Sequence, residues 1–483
     1  MVKFKERNNL DYWCILMKWL LLFLYLIFIL IVIFLERKRP TEALLWVLIL
    51  ICLPYVGIVL YLIFGSTMAI KLTSHFRHKR LSKCKNDRIN KPTNDVIDFP
   101  ASEEDMQVAY FNYRYNNARL TSYNSYDFYL DGKSHYEKLF EDINNATECI
   151  YVEFYTIHHD EVGEEFIKLL TKKANEGLEV LVMIDFIANI SDPPKMFKEL
   201  KRAGGRLIRI KPFLTHFRSH RKIVVIDHEI SYIGGMNIGR KYVNMSKKKN
   251  PWRDTQIRLV GPCSTILDEY FLADWLASIR RKYWDETVSY VDNLPRIENK
   301  MNDNLCQFVV GGVDTNKESI KMTYLAMIRS ARNKILIQTP YFVPDPSILD
   351  ALKTAVASGV EVVLTIAGVK SSFFLDPVTT YYVGNLMEYG AKVYKYNGYI
   401  HAKTIIIDNE LCAIGSVNMD QRSFTIDDEI CGIFFNNEIV ESYNNIYLND
   451  LANSKEYLYS EYLKRGTKEK ALEAIFLLFA SIM

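Results

Sequence analysis

His401 and Lys403 stand two residues apart at the head of an apolar run, Thr404–Ile407, that Asp408 closes. The run reads as a short buried strand, and on an extended chain side chains two apart leave the same face. A histidine and a lysine on one face suit a phosphate: the imidazole can attack or pass a proton, and the ammonium holds the oxygens. Six residues further on comes Gly415-Ser416-Val417-Asn418. The same arrangement stands earlier as His220-Arg221-Lys222, the run Ile223–Ile226, Asp227 and, after six residues, Gly234-Gly235-Met236-Asn237, at an offset of 181 residues.

A single His-x-Lys beside an aspartate arises by chance at solvated strand ends. Here the surroundings repeat as well. Gly177 precedes Leu-Glu-Val-Leu-Val as Gly359 precedes Val-Glu-Val-Val-Leu, and Gly205 and Gly390 each precede a further strand-like run. That is a whole-domain duplication, and two complete motifs at one place in it point to chemistry. Strands are expected at 149–155, 179–185, 334–339 and 360–366, with helices at 164–175 and 348–357. Alternation of apolar strands with helices predicts an α/β fold of two pseudo-symmetric halves with mostly parallel sheets. Their motifs would meet at the seam. Exchange at a phosphodiester needs a nucleophile on one side of phosphorus and a proton donor on the other, and an imidazole with a reference pKa near 6.5 serves in either role.

The paired His-x-Lys-x4-Asp-x6-Gly-[Gly/Ser]-x-Asn motifs resemble those of the phospholipase D superfamily. The flanking text resembles bacterial cardiolipin synthases over nearly the whole chain, including Thr339-Pro340-Tyr341-Phe342, Ser358-Gly359-Val360 and Asn418-Met419-Asp420-Gln421-Arg422-Ser423-Phe424. There are departures: no glycine follows Asp185, Val313 stands where proline is usual, Asp427 replaces a common asparagine, and Gly368 lacks a preceding proline.

The resemblance implies a catalytic set of His220, Lys222, Asp227, His401, Lys403 and Asp408, with His220 as nucleophile and His401 as general acid, then base; the motifs alone also allow the reverse. Asn237, Asn418 and Ser416 are expected to bind substrate. Family members place an acid roughly thirty residues beyond each motif histidine, which points to Asp254 and Glu429 as the groups that orient the imidazoles. Asp227 and Asp408 are expected to hold the strand-turn backbone. His216 reads as a rim residue and His158-His159 as loop.

The implied reaction transfers a phosphatidyl group between two molecules of an anionic phospholipid, phosphatidylglycerol, to give cardiolipin and glycerol through a phosphatidyl-histidine. One phosphodiester is exchanged for another, so neither a cofactor nor a metal is required. Hydrolysis by the same residues, with water as acceptor, is the alternative that the motifs leave open. The eight cysteines show no Cys-x-x-Cys or zinc-like spacing and read as reduced, mostly buried thiols.

Membrane attachment is written at the front. Residues 19–35 and 44–64 carry no charge, and at 1.5 Å per residue each reaches across a bilayer core, the first only just. The expected organisation is a short tail (1–12), a transmembrane hairpin (13–65, spans about 13–35 and 44–64), a basic linker (66–104), a first half (105–300) and a second half (301–483). Eight Lys or Arg between 71 and 91 face one acid, Asp87, so the positive-inside rule places both termini and the catalytic domain in the cytoplasm. The same segment suits attraction to anionic lipid. Nucleic acid is disfavoured as a partner by the net charge of only +3 and by the hairpin. The aromatic stretch at 110–129 reads as packing rather than as a base-stacking platform. The apolar C-terminal segment, 469–483, is too short to span; it is expected to pack on the domain, with the membrane surface as the alternative.

Overall fold

The computed structural model describes residues 2–37, 40–65, 106–122, 124–191, 194–211, 217–243, 251–279, 294, 304–312, 318–370, 372–435 and 438–480. The basic linker at 66–104, His216 and Val313 lie outside the described residues. Two compact units are present, with described residues 2–65 in the first and 106–480 in the second.

The first unit consists of helices Val2–Leu35, Pro40–Cys52 and Pro54–Phe64. The expected separate tail is thus helical and continuous with the first apolar stretch. Among the described residues one helix is long and apolar enough to cross a bilayer, over Ile15–Leu35. The expected second span is broken at Leu53, whose backbone lies at φ −133°, ψ 66°. A proline ring disfavours α geometry in the residue before it, and Pro54 then opens the next helix where its missing N–H is not needed. Tyr61 ties the pieces together: its hydroxyl donates to Glu36 at 3.1 Å, and Trp46 and Phe28 meet its ring edge-on.

The second unit carries the duplication. Its seven-stranded sheet runs Ser125–Tyr129, Gln256–Val260, Ile230–Gly234, Ile223–Ile226, Cys149–Phe154, Glu179–Asp185, Arg206–Ile210. The nine-stranded sheet repeats that order as Leu305–Gly311, Glu429–Phe435, Leu411–Gly415, Thr404–Ile407, Lys334–Gln338, Glu361–Ala367, Lys392–Tyr396, with Leu120–Thr121 and Ser454–Glu456 added at its edges. Each half has its own apolar core, one around Ile150, Phe166 and Val182, the other around Ile335, Leu364 and Ile405.

The α/β halves are as expected, but the sheets are mixed rather than mostly parallel. Within the two large sheets, parallel pairing is confined to three strands in each half, beginning with Cys149–Phe154 and Lys334–Gln338. The motif strands instead return at once as antiparallel hairpins. Strands buried on both faces read as continuous apolar runs whichever way they pair, so the pattern does not report direction. The hairpin turns have Asp227 and His228 at φ 51° and 60°, and Asp408 and Asn409 at φ 53° and 62°, as a tight turn of the I′ kind demands.

The turn aspartates also clamp the neighbouring strand. Asp227 accepts from the Thr147, Glu148 and Cys149 amides and the Thr147 hydroxyl at 2.8–3.0 Å. Asp408 accepts from the Arg332, Asn333 and Lys334 amides at 2.6–2.8 Å. Both lie at the far end of their strand, roughly 20 Å along the chain from the motif histidine. Their place in the motif is therefore architectural and not at the reacting atoms. Asp408→Ala is expected to lower stability by about 3 kcal/mol, from lost charge-assisted bonds and an alanine at positive φ, while the fraction that stays folded keeps its specific activity. Thermal unfolding beside activity per folded molecule measures both; a loss of specific activity at unchanged stability would return Asp408 to the chemistry.

Candidate active site

Each motif histidine precedes its strand and is fixed by the other half of the molecule. The His220 amide donates to Asp428 O at 2.8 Å and the His401 amide to Arg253 O at 2.6 Å. Tyr399–Ile400 pairs in parallel with Trp252–Arg253, and Ser219 bridges to Asp428. Side chains follow the backbone across. His220 Nδ1 lies 2.9 and 3.0 Å from the two oxygens of Glu429, and His401 Nδ1 lies 2.7 Å from Asp254 Oδ2. Both expected acids are thus on imidazoles, each on the histidine of the opposite half. The acid spacing in the sequence could reveal the acids but not this exchange. A carboxylate only accepts, so each pairing favours the tautomer with its hydrogen on Nδ1 and the lone pair on Nε2.

The two acids are held differently. Glu429 accepts from the hydroxyls of Ser416 and, at 2.8 Å, Ser423. Asp254 accepts from the Thr255 amide at 2.8 Å and the Trp252 indole at 3.4 Å. Ser416, expected to face substrate, is fully buried and turned onto Glu429. The matching position in the first half is Gly235, where a Cβ would collide with the Asp254 carboxylate. That glycine lets the shorter acid side chain sit against the turn.

Lys222 and Lys403 share a face with their histidines, as the spacing predicts, and are buried. Each ammonium donates to the carbonyl of its own histidine, at 2.5 and 2.6 Å. Tyr155 meets His220 edge-on at 5.0 Å and lies 5.4 Å from the Lys222 ammonium, while the Trp252 ring stands 5.0 Å from His401. Sequence reasoning assigned no role to these aromatic walls, although Trp252 lies two residues before Asp254 and Tyr155 closes an expected strand. Asn237 donates to Tyr242 OH at 2.9 Å and accepts from the Thr156 amide; Asn418 donates to Tyr341 OH at 2.8 Å. A primary amide has two hydrogens, and each asparagine gives one of them to its tyrosine.

Asp185 and Asn189 hold this framework from behind. Asp185 accepts from the Ser219 amide at 3.1 Å, and Asn189 donates to Tyr155 O at 2.7 Å. The missing glycine after Asp185 leaves this support intact. Asp427, another departure, pairs with Arg422 and accepts from the Arg218 amide at 3.1 Å. His158 and His159, read as loop, line an open cavity of about 520 Å³ with Arg240 and Lys241.

Burial and mutual repulsion set the charges. Burial first, then Lys222 and Lys403, hold the His220 imidazole well below its ordinary value. Burial and then Lys403 push His401 down to about 3. Burial likewise lowers Lys222 to about 7 and Lys403 to about 8, and raises Glu429 to about 7. Burial works to raise Asp254 too, but His401, Lys403 and the Thr255 amide outweigh it and keep that carboxyl below its usual range. The unliganded site thus holds neutral imidazoles and loosely protonated lysines. An anion entering it restores charge to both.

The pH dependence of binding has a definite sign. Lysines lowered to about 7 and 8 are cationic below those values and neutral above them, and an anion binds the cationic form. Affinity for a phosphodiester of constant charge, such as dimethyl phosphate, is expected to fall at least about tenfold between pH 6.5 and 9. Calorimetric titration across that range measures it; a flat profile would mean that the lysines are not what hold the oxygens.

A family model described as "Cardiolipin synthase, PLD-like domain" matches residues 139–275 and 324–451, one stretch in each half. One described as "Phospholipase_D-nuclease N-terminal" matches residues 23–66. The chain is 34% identical over 464 residues to a cardiolipin synthase of Oceanobacillus iheyensis, covering 94% of this chain and 96% of that one. It is 33% identical over 468 residues to the major cardiolipin synthase ClsA of Bacillus subtilis, with 94% and 96% covered. Among solved structures, the phosphatidylserine synthase of Haemophilus influenzae shares the fold, with a TM-score of 0.62 at 15% identity over 79% of this chain and 98% of that one. With a match in each motif-bearing half and an alignment along nearly its whole length, the chain belongs to the cardiolipin synthases of the phospholipase D superfamily.

Proposed function

We propose that the chain transfers a phosphatidyl group from one phosphatidylglycerol to a second, giving cardiolipin and glycerol. The observation that carries this reading is the reciprocal pairing of His220 with Glu429 and His401 with Asp254 in a chain aligned throughout with cardiolipin synthases. His220 Nε2 attacks phosphorus, and the bond to the glycerol oxygen breaks as that oxygen takes a proton from His401, which the bound phosphodiester anion helps to protonate. The phosphatidyl group is then carried on His220. His401, now neutral, takes the proton from a hydroxyl of the second phosphatidylglycerol, whose oxygen attacks phosphorus while the N–P bond breaks. Lys222, Lys403, Asn237 and Asn418 hold the nonbridging oxygens as charge shifts.

Water competes for the intermediate. A membrane-anchored chain meets lipid alcohol at high effective concentration, and Tyr155 and Trp252 wall the two imidazoles with apolar surface. The Ile15–Leu35 helix supplies an anchor. We infer a second crossing by Pro40–Cys52 and Pro54–Phe64 together, 13 and 11 residues that rise roughly 36 Å in series. The basic flank at 71–91 supports cytoplasmic termini.

The test is turnover of labelled phosphatidylglycerol by the purified protein in mixed micelles without added metal. Cardiolipin and free glycerol in equal amounts are expected. Phosphatidic acid as the sole lipid product would make the acceptor water, and no turnover would remove phosphatidylglycerol as substrate.

A further inference from the structure

The C-terminal helix Thr467–Leu477 is apolar on two faces, and the domain uses only one. Glu473, Phe476 and Ala480, spaced as one helical stripe, are buried. Phe476 and Ala480 pack with Val343 and Val378 in a cluster that Tyr341 and Leu375 flank. The stripe beside it is left outward: Leu472 and Ile475, with Leu478 and Phe479 just past the helix end, are 38%, 52%, 61% and 39% exposed. Phe373 and Phe374, 69% and 56% exposed, extend this surface, their rings at 5.4 and 5.1 Å from that of Phe476. A contiguous apolar patch of this kind on a folded domain marks an interaction surface. Lys370, Lys464, Lys468 and Lys470 are exposed in the flanking sequence, with Glu461 and Glu469 among them.

We propose that this patch rests on the anionic lipid bilayer and forms the face through which lipid reaches the active site. Three observations select lipid as the occupant. Lysines beside outward-facing Leu, Ile and Phe are the composition of a helix lying in a membrane interface, where anionic headgroups meet the cations. The Ile15–Leu35 helix keeps the chain at a membrane. Behind the patch the path to the chemistry is short: Phe476 packs in the cluster that Tyr341 flanks, and Tyr341 OH accepts from Asn418, beside the second motif. A diacyl lipid whose phosphate enters a buried site must keep its acyl chains in apolar surroundings, and this surface provides them. The inference rests on phosphatidylglycerol, a lipid, being the substrate.

Two measurements on the full-length protein in phosphatidylglycerol–phosphatidylcholine vesicles test it. Phosphatidylcholine with a photoreactive group in its acyl chain is expected to label residues 373–374 and 475–479 in addition to the N-terminal helices at 15–64; labelling confined to those helices overturns the proposal. Phe374→Ser with Leu478→Ser, both exposed and outside the machinery, is expected to lower turnover of vesicle phosphatidylglycerol about tenfold and to leave turnover of monomeric dihexanoyl phosphatidylglycerol unchanged. Equal loss on both substrates, or loss on neither, overturns it. A detergent-soluble dimer that the double variant abolishes would assign the face to a second copy of the chain. If the unaltered protein turns over neither lipid, the transfer reading fails, and the photolabelling still decides the surface.

Discussion

His220→Ala is expected to lower phosphatidyl transfer by about 10⁴-fold or more, because it removes the atom that carries the group between donor and acceptor. His401→Ala is expected to cost about 10³-fold through the loss of a positioned acid and base. The double variant should be no more than about tenfold worse than His220→Ala, since residues that act in one sequence are far from additive. A phosphatidyl ester of p-nitrophenol separates the two roles. Its leaving group departs without a proton, so His401→Ala should release one burst of nitrophenol per molecule and then stall, with the lipid held on His220. His220→Ala should give no burst. A burst from His220→Ala and none from His401→Ala would reverse the assignment.

Much of this site was readable before folding because its physics is local. His220 with Lys222 and His401 with Lys403 share faces by strand geometry alone, and the structure buries both lysines beside their histidines. The two halves were readable because a duplication writes itself twice. Strand direction was not, since Ile223–Ile226 and Thr404–Ile407, buried on both faces, look alike in either sense. The break at Leu53 had a signal in Pro54, which a membrane helix can absorb without ending. Nor could spacing show that Ser416 serves Glu429, because that depends on how strands Leu411–Gly415 and Glu429–Phe435 pair. For strand direction and for Ser416, what the sequence withholds is a relation between segments that no periodicity encodes.

The exchange of acids between halves gives the second large effect. Glu429→Ala and Asp254→Ala are each expected to lower kcat by about 10²–10³-fold, because an imidazole without its carboxylate loses its orientation and its preferred tautomer. Glu429→Ala also strands the Ser416 and Ser423 hydroxyls that now donate to it. The pairing predicts which step each variant impairs. Glu429 lies on His220, so Glu429→Ala should slow the nitrophenol burst, as His220→Ala does. Asp254 lies on His401, so Asp254→Ala should spare the burst and slow the transfer to the acceptor alcohol. Were each acid serving the histidine of its own half, the two phenotypes would change places. Gln at 429 sharpens the comparison, since it keeps the shape of the side chain and removes the charge. The same pairing makes the two halves depend on each other. Neither motif histidine draws its acid from its own half, and Trp252–Arg253 and Tyr399–Ile400 pair across the seam where His401 meets Asp254. Arg253→Ala, which removes the ion pair with Asp450 behind that seam, is therefore expected to disturb His401 and Asp254 first and to resemble Asp254→Ala in the nitrophenol assay.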